Sequence, residues 1–335
     1  MKNYPFLLSP TGKDYLWGGR RLNDEFEKNI EMSPLAETWE CSTHPDGPSI
    51  VASGRYLGKT LAEVIREHPE YLGTHPETQG ELPILIKFID ANQDLSIQVH
   101  PSDSYAKEHE GGQLGKTEMW YVLDASKDAE LIYGLKQDME AMEFQKALQN
   151  GSVVKYLQKV PIQKGDVFFI EAGTIHAIGS GALIAEIQEN SNLTYRLYDY
   201  ERVDREGNKR PLHVEKAMEV ADLKSTMEPK QPMRVLKYRP GVASEMLCRC
   251  KYFEVYRMLV NTERRQKVTY RADEVSFRVL LCVNGCGTIV YNNGTNNNKQ
   301  QHEMIPFYKG DCIFVPADSV DLQIHGRAQF LDVRG

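Results

Sequence analysis

The 335-residue sequence predicts a mainly β protein built from two jelly-roll-like domains with a few short helices. Three observations carry that expectation. Short runs rich in β-branched and aromatic residues recur along the chain, most of them bounded by Gly, Pro, Asp or Asn. Helical periodicity is confined to a few segments, so an alternating parallel α/β order is not on offer. An internal repeat aligns without gaps: Lys164-Gly-Asp-Val-Phe-Phe-Ile-Glu-Ala-Gly-Thr-Ile-His176 lies over Lys309-Gly-Asp-Cys-Ile-Phe-Val-Pro-Ala-Asp-Ser-Val-Asp321.

The strands are expected at ILIKFID, LSIQVH, MWYVLD, ELIYGL, DVFFIEA, ALIAEIQ, FEVYRMLV, FRVLLCV, GTIVYN, DCIFVP and VDLQIH. Three helices are expected. One begins at Thr60 with a capping-box pattern, Thr60 followed by Glu63, and runs to His68. The others cover 138–149, closed by Asn150-Gly151, and 213–223. The proline-bearing stretch 225–242 reads as a linker, which places a first domain at 1–235 and a second at 236–335. Both copies of the repeat read as a Gly-Asp turn feeding a buried strand. They differ at the end: the first closes on His176, the second on Asp321. One working domain and one structural domain follow from that difference.

Composition narrows the function. A net charge of −7 and a pI near 5.8, with no long run of one sign, argue against a nucleic-acid or anionic-membrane surface. No window approaches the ~18 apolar residues of a membrane span, and the N-terminal apolar stretch is too short for a signal peptide. The six cysteines include no CxxC pair, so reduced thiols in a cytoplasmic protein are expected. A zinc site on Cys248-Arg249-Cys250 is the weaker alternative. The Asn293-Gly294-Thr295 sequon carries no weight without a secretion signal. Neither a GxGxxG nor a P-loop pattern occurs, which removes the commonest nucleotide sites.

Four residues on successive strands form a candidate metal set. Gln98 and His100 are two apart in Ser96-Ile-Gln-Val-His-Pro101 and share a strand face. Glu118 opens an apolar strand, and His176 follows the Gly-Asp turn. Two imidazoles, a carboxylate and an amide oxygen suit a divalent metal such as zinc with an open position. Taken singly, each His is more often a hydrogen-bonded structural residue; the four together favour a site. Further on, Glu186 alternates with Ala185 and Ile187 and is placed to face inward. A metal and burial would shift its pKa in opposite directions. Arg196 stands among Tyr195, Leu197 and Tyr198, either aimed at an anion or paired with Asp199.

These stretches resemble type I mannose-6-phosphate isomerase (phosphomannose isomerase) in its short bacterial form, a zinc enzyme of the cupin superfamily. The matching segments are Trp17-Gly-Gly, Ala36-Glu-Thr-Trp-Glu40, Leu82-Pro-Ile-Leu-Ile-Lys87, Leu95-Ser-Ile-Gln-Val-His-Pro101, Lys116-Thr-Glu-Met-Trp120, Gly173-Thr-Ile-His176 and Tyr195-Arg196. The resemblance implies two cupin-type domains and one zinc per chain on Gln98, His100, Glu118 and His176. It implies Arg196 as the essential arginine and Glu186 and Lys116 as acid-base candidates. Lys87, Lys116 and Arg202, with Ser96 as hydroxyl donor and Trp17 nearby, are the expected contacts to a small sugar phosphate. Two departures stand out. Only 57 residues separate Glu118 from His176, where long forms carry a large helical insertion. The arginine is followed by Leu-Tyr-Asp-Tyr-Glu-Arg202, not by a Thr-Pro-Lys stretch, so phosphate contacts do not transfer from there.

The implied reaction interconverts mannose 6-phosphate and fructose 6-phosphate through a cis-enediol. Two rivals remain at this stage. An iron-dependent cupin dioxygenase would also use two His and a carboxylate, though Gln98 would fill a position that oxygen needs. A non-catalytic sugar-binding cupin would show an eroded ligand set, which only the second repeat does. The chain is expected to act as a monomer or homodimer.

Overall fold

The computed structural model describes residues 3–75, 80–204, 206–227, 229, 231, 233–296 and 299–335. It is mainly β, as expected. Two antiparallel sheets face each other in the first half of the chain. A six-stranded sheet runs in the order Val167–Ile170, Glu118–Ala125, Ala182–Glu189, Ile84–Ala91, Glu37–Cys41, Thr11–Lys13. Opposite it lie Tyr195–Tyr198, Ile97–Val99, His176–Ile178, Glu130–Leu135 and Leu157–Pro161. Ile89, Trp120, Val122, Leu131, Val160, Phe168, Ile178 and Ile184 fill the space between them.

The six-stranded sheet is covered on its other face too, which explains why Ile84–Ala91 and Ala182–Glu189 are buried at every position. Along Ile84–Ala91, Lys87 and Ile89 point between the two sheets, while Ile84, Ile86 and Phe88 join a second core. That second core contains Val279, Leu281, Leu331 and Val333 from the C-terminal sheet. The two halves of the molecule therefore share a continuous apolar layer.

The C-terminal sheet has ten strands, and two of them come from the N-terminus. Phe6–Ser9 pairs with Cys312–Val315 on one side and Ile50–Val51 on the other. These strands cross the expected division at residue 235, so sequence order and sheet membership part company there. The segment 225–242 also departs from a free linker. The Gln231 side chain pairs with both backbone groups of Val167, at 2.7 and 3.1 Å, and Arg234 donates to the Gly165 carbonyl. Strand Lys237–Arg239 begins within it.

Local signals behaved as their chemistry dictates. Thr60 caps Leu61–Glu67 with the complete capping box. The helix expected at 138–149 starts at Ala141 because Glu140 is extended (φ −75°, ψ 145°). The third expected helix is Val214–Val220. Two further helices, Arg21–Phe26 and Asp103–His109, lie where the sequence shows no long apolar period. FRVLLCV and GTIVYN, expected as two strands, form one long strand Arg278–Asn296. The Asn284-Gly285 punctuation between them is not a turn: the strand runs on through it, with a bulge between Cys282 and Asn284 and Gly285 at φ 84° just after. Both repeat turns use a glycine at positive φ, Gly165 at 92° and Gly310 at 102°. Among the described residues, no helix is long and apolar enough to cross a membrane.

Candidate active site

Register brings the candidate residues together. On the five-stranded sheet, Gln98 pairs with His176 on one side and Arg196 on the other. On the facing sheet, Glu186 lies between Lys87 and Trp120. Alternation sends Glu118, Trp120, Glu186 and Lys87 toward the opposing row. Trp120, Glu186 and Lys87 line a cavity of about 260 Å³ together with Tyr15, Trp17, Glu37, Ser96, Gln98, Lys116, Asn192, Thr194, Arg196 and Arg210.

At one end, His100, Glu118 and His176 are fully buried, and their ligand atoms lie within 4.8 Å of one another. His100 Nε2 is 3.6 Å from Glu118 Oε2, and His176 Nε2 is 3.3 Å from Glu118 Oε1. His176 Nδ1–H donates to the Thr174 carbonyl at 2.8 Å, which turns the Nε2 lone pair into the cluster. Gln98 Nε2 lies 3.3 Å from His176 Nε2, and a half-turn of the amide puts its oxygen there instead. Burial pushes both imidazoles down, His176 to about 4 and His100 well below the ordinary value. They are thus neutral donors at neutral pH. Burial, aided by the charge of Glu186, pushes the Glu118 carboxyl up to about 7. His100 Nε2 and Glu118 Oε1 are buried without a hydrogen bond. Buried polar atoms of this kind are rarely left unmatched, and a cation among them satisfies all three side chains. Cys248 and Cys250 join no group of three metal-binding side chains among the described residues.

Next to this cluster is an interlocked set of charges. Lys116 Nζ lies 3.1 Å from Glu118 and 3.9 Å from Glu186, and Lys87 lies 3.3 Å from Glu186 and 3.8 Å from Glu37. Trp120 Nε1 donates to Glu186 at 2.9 Å, and Trp39 Nε1 donates to Glu37 at 2.8 Å. Burial alone would raise the Glu186 pKa, but Lys116 and Lys87 outweigh it and hold the carboxyl below its usual value. Two ammonium groups face three carboxylates here, so this end holds an excess of negative charge.

The other end has the opposite balance. Arg196 is half-buried; its Nε donates to Ser96 Oγ at 3.3 Å and its NH1 to the Pro211 carbonyl at 2.8 Å. Burial, with the charge of Arg210 next, lowers its pKa. Arg210 and Arg202 both bond the buried Asp199 carboxylate, at 2.6 and 2.5 Å. Two guanidinium groups therefore share the Asp199 carboxylate, and among the described residues no ion pair reaches Arg196. A cavity with a negative end holding unmatched metal-type donors and a positive end is built for a cation and an anion at once.

Comparison with known proteins fits this layout. Residues 6–145 match the model of the phosphomannose isomerase type I catalytic domain. Bacillus subtilis ManA, a mannose-6-phosphate isomerase, is 35% identical over 334 residues, covering 98% of each chain. The B. subtilis protein named "Probable mannose-6-phosphate isomerase GmuF" is 39% identical over 331 residues, again covering 98% of each. The chain belongs to the mannose-6-phosphate isomerase family. The crystal structure of the B. subtilis mannose 6-phosphate isomerase superposes with a TM-score of 0.88 at 35% identity, covering 99% of each chain. The chain is thus an isomerase of this family with a cupin fold, which sets aside the dioxygenase and the non-catalytic binding module.

Within this isomerase, Gln98, Lys87, Lys116, Ser96, Glu186, Arg196 and Trp17 line the one cavity, and Gln98 and Lys116 touch the buried His100–Glu118–His176 cluster behind it. Arg202 does neither. Its guanidinium bonds Asp199 and the Asp94 carbonyl, and it lies outside the cavity lining, so the structure does not bring it to the cavity as expected. Arg210, from the same loop, lines the cavity. No sequence signal marked it, because a loop after Arg196 has no period from which a direction can be read. Glu37 was legible in principle, inside the matched Ala36-Glu-Thr-Trp-Glu40 stretch. Tyr15, Asn192 and Thr194 reach the cavity from connections and carried no pattern.

Proposed function

We propose that this isomerase interconverts mannose 6-phosphate and fructose 6-phosphate with one zinc ion held by Gln98, His100, Glu118 and His176. The observation that carries the metal is the buried His–Glu–His cluster with His100 Nε2 and Glu118 Oε1 unmatched. The ion supplies Lewis acidity toward the sugar oxygens. The phosphate is assigned to the arginine end, against Arg210 and Thr194, since Lys87 and Lys116 are already compensated by carboxylates. The C1–C2 end of the sugar then lies toward Glu186 and Lys116, and Arg196, in register beside Gln98, stands between the two ends.

Moving a proton between C1 and C2 through a cis-enediol needs a base that returns it to the neighbouring carbon. Glu186 and Lys116 are the proton-handling groups at that end. Glu186 is kept ionised by its two lysines and is fixed in direction by Trp120. Arg196 offsets charge on the enediolate oxygens, its planar fork spanning two neighbouring atoms. Tyr15 and Trp17 close the apolar side of the cavity. The division into a catalytic unit, 1–235, and a structural unit, 236–335, is part of this proposal, as is a cytoplasmic location in keeping with six unpaired cysteines.

Chelation of the purified protein should abolish turnover of mannose 6-phosphate, and added zinc should restore it. Acidification should release the metal, because protons compete for its ligands. Stoichiometric metal remaining after His100→Ala and His176→Ala together would overturn the ligand assignment. Oxygen uptake with iron in place of zinc would overturn the isomerisation chemistry.

A further inference from the structure

We infer that the second unit positions the active-site strand through a hydrogen-bonded relay from Tyr252, by way of Asp103 and Glu189, to the backbone of Thr117. Thr117 stands between Lys116 and Glu118, one an acid-base candidate and the other a candidate metal ligand. The segment carrying them is held by three bonds from outside its own strand. Gly115 N–H donates to Asp103 Oδ1 at 3.0 Å, Lys116 N–H donates to the Pro101 carbonyl at 3.0 Å, and Thr117 N–H donates to Glu189 Oε1 at 2.7 Å. Asp103 Oδ2 accepts the Tyr252 hydroxyl at 2.7 Å and lies 3.6 Å from Lys251 Nζ.

The two acids sit where the site's elements end. Glu189 closes the strand that carries Glu186, and Asp103 opens the helix that follows His100 and Pro101. Tyr252 comes from the connection between Val242–Arg249 and Glu254–Asn261, in the C-terminal sheet. One side chain of the second unit thus reaches, through Asp103, the segment that leads into Lys116 and Glu118.

The link between Asp103 and Glu189 requires a proton. Glu189 is 1% exposed, and its Oε2 has no donor unless one of the two carboxyls is protonated. Burial, with the charge of Asp103 beside it, pushes the Glu189 carboxyl up to about 8. Asp103 is held below its usual value, despite burial, by bonds from Tyr252, Glu189 and Gly115. In this relay the proton is placed on Glu189, which then donates to Asp103 through its otherwise unmatched Oε2 and accepts from Thr117 at Oε1. None of these groups lines the substrate cavity, so each is a positioning residue.

The inference rests on the proposed isomerase activity, and it is tested in the full-length zinc enzyme with Tyr252→Phe, Glu189→Ala and Glu189→Gln. The first and last keep the shape of the side chain. A glutamine can still donate to Asp103 and accept from Thr117, so Glu189→Gln should stay within threefold of the parental kcat. Glu189→Ala should lower kcat about tenfold and weaken zinc binding by a similar factor, as outer-shell changes do. Tyr252→Phe should lower kcat several-fold, with KM within twofold in every variant because the phosphate end is untouched. Zinc affinity is read without turnover, so a parent inactive on mannose 6-phosphate would count against the proposed function while the relay is still judged. Parental kcat and zinc affinity in both Glu189→Ala and Tyr252→Phe would overturn the relay. So would a Glu189→Gln variant as impaired as Glu189→Ala.

Discussion

Arg196 and Arg210 line the same cavity but make different bonds, and those bonds predict different kinetics. Arg196 is braced by Ser96 and the Pro211 carbonyl, and sits in register beside the candidate ligand Gln98. If it meets charge that exists only on the enediolate, Arg196→Ala should lower kcat and kcat/KM alike, by roughly 10²–10³. Arg196→Lys should recover little, because an ammonium lacks the planar fork. Arg210 is braced by Asp199 and is assigned to the phosphate, which is charged in ground state and transition state alike. Arg210→Ala should therefore raise KM by about 10- to 100-fold, the worth of a charge-assisted hydrogen bond, with kcat nearly parental. Steady-state kinetics of both variants at checked zinc content decides; a KM effect at Arg196 and a kcat effect at Arg210 would exchange their roles.

Strand Ile84–Ala91 serves chemistry on one face and cohesion on the other. Lys87 faces the cavity, while Phe88 is fully buried in the layer between the halves, 4.9 Å from Phe26 by ring centroids. Phe88→Ala should cost about 3–5 kcal/mol of stability, read by urea or thermal unfolding. Its kcat and KM at low temperature should stay near parental. A fall in kcat with stability unchanged would show that the two faces are not separable. Such a strand reads in the sequence as an apolar run with one lysine and one aspartate, and burial of both faces explains why ordinary alternation was hard to see. Glycine punctuation was ambiguous for a related reason. Gly165 and Gly310 mark turns, whereas Gly285 follows a bulge inside a long strand, and all three take a positive φ.

At the scale of the whole molecule, the proposed division sets a working copy of the repeat against a supporting one. Asp321 is exposed at the position matching His176, so Asp321→Asn should leave kcat and KM within a few-fold of the parent. A large loss of turnover in a folded variant would restore a catalytic role to the second copy. The supporting copy is not self-sufficient. Its sheet includes Phe6–Ser9 and Ile50–Val51, and its inner face packs on Ile86 and Phe88. A fragment of residues 236–335 should therefore expose apolar surface and fail to unfold cooperatively. A soluble fragment with a sharp transition would show that the N-terminal strands are dispensable.

The sequence by itself determined the β class, the capped helix at 60–68, the repeat and most of the site. Those properties are written in short-range chemistry: β-branched runs, a Thr60–Glu63 capping box, Gly-Asp turns, and metal-binding side chains on alternating strand positions. Only the tertiary structure decided which arginine meets the cavity. Arg202 and Arg210 lie in one loop, and Asp199 bonds both, but only Arg210 lines the cavity. It also decided that N-terminal strands complete the C-terminal sheet, and that Tyr252 reaches Asp103 from far along the chain. Loop direction and long-range pairing are set by which surfaces remain to be covered once the sheets have formed, and no local pattern encodes that.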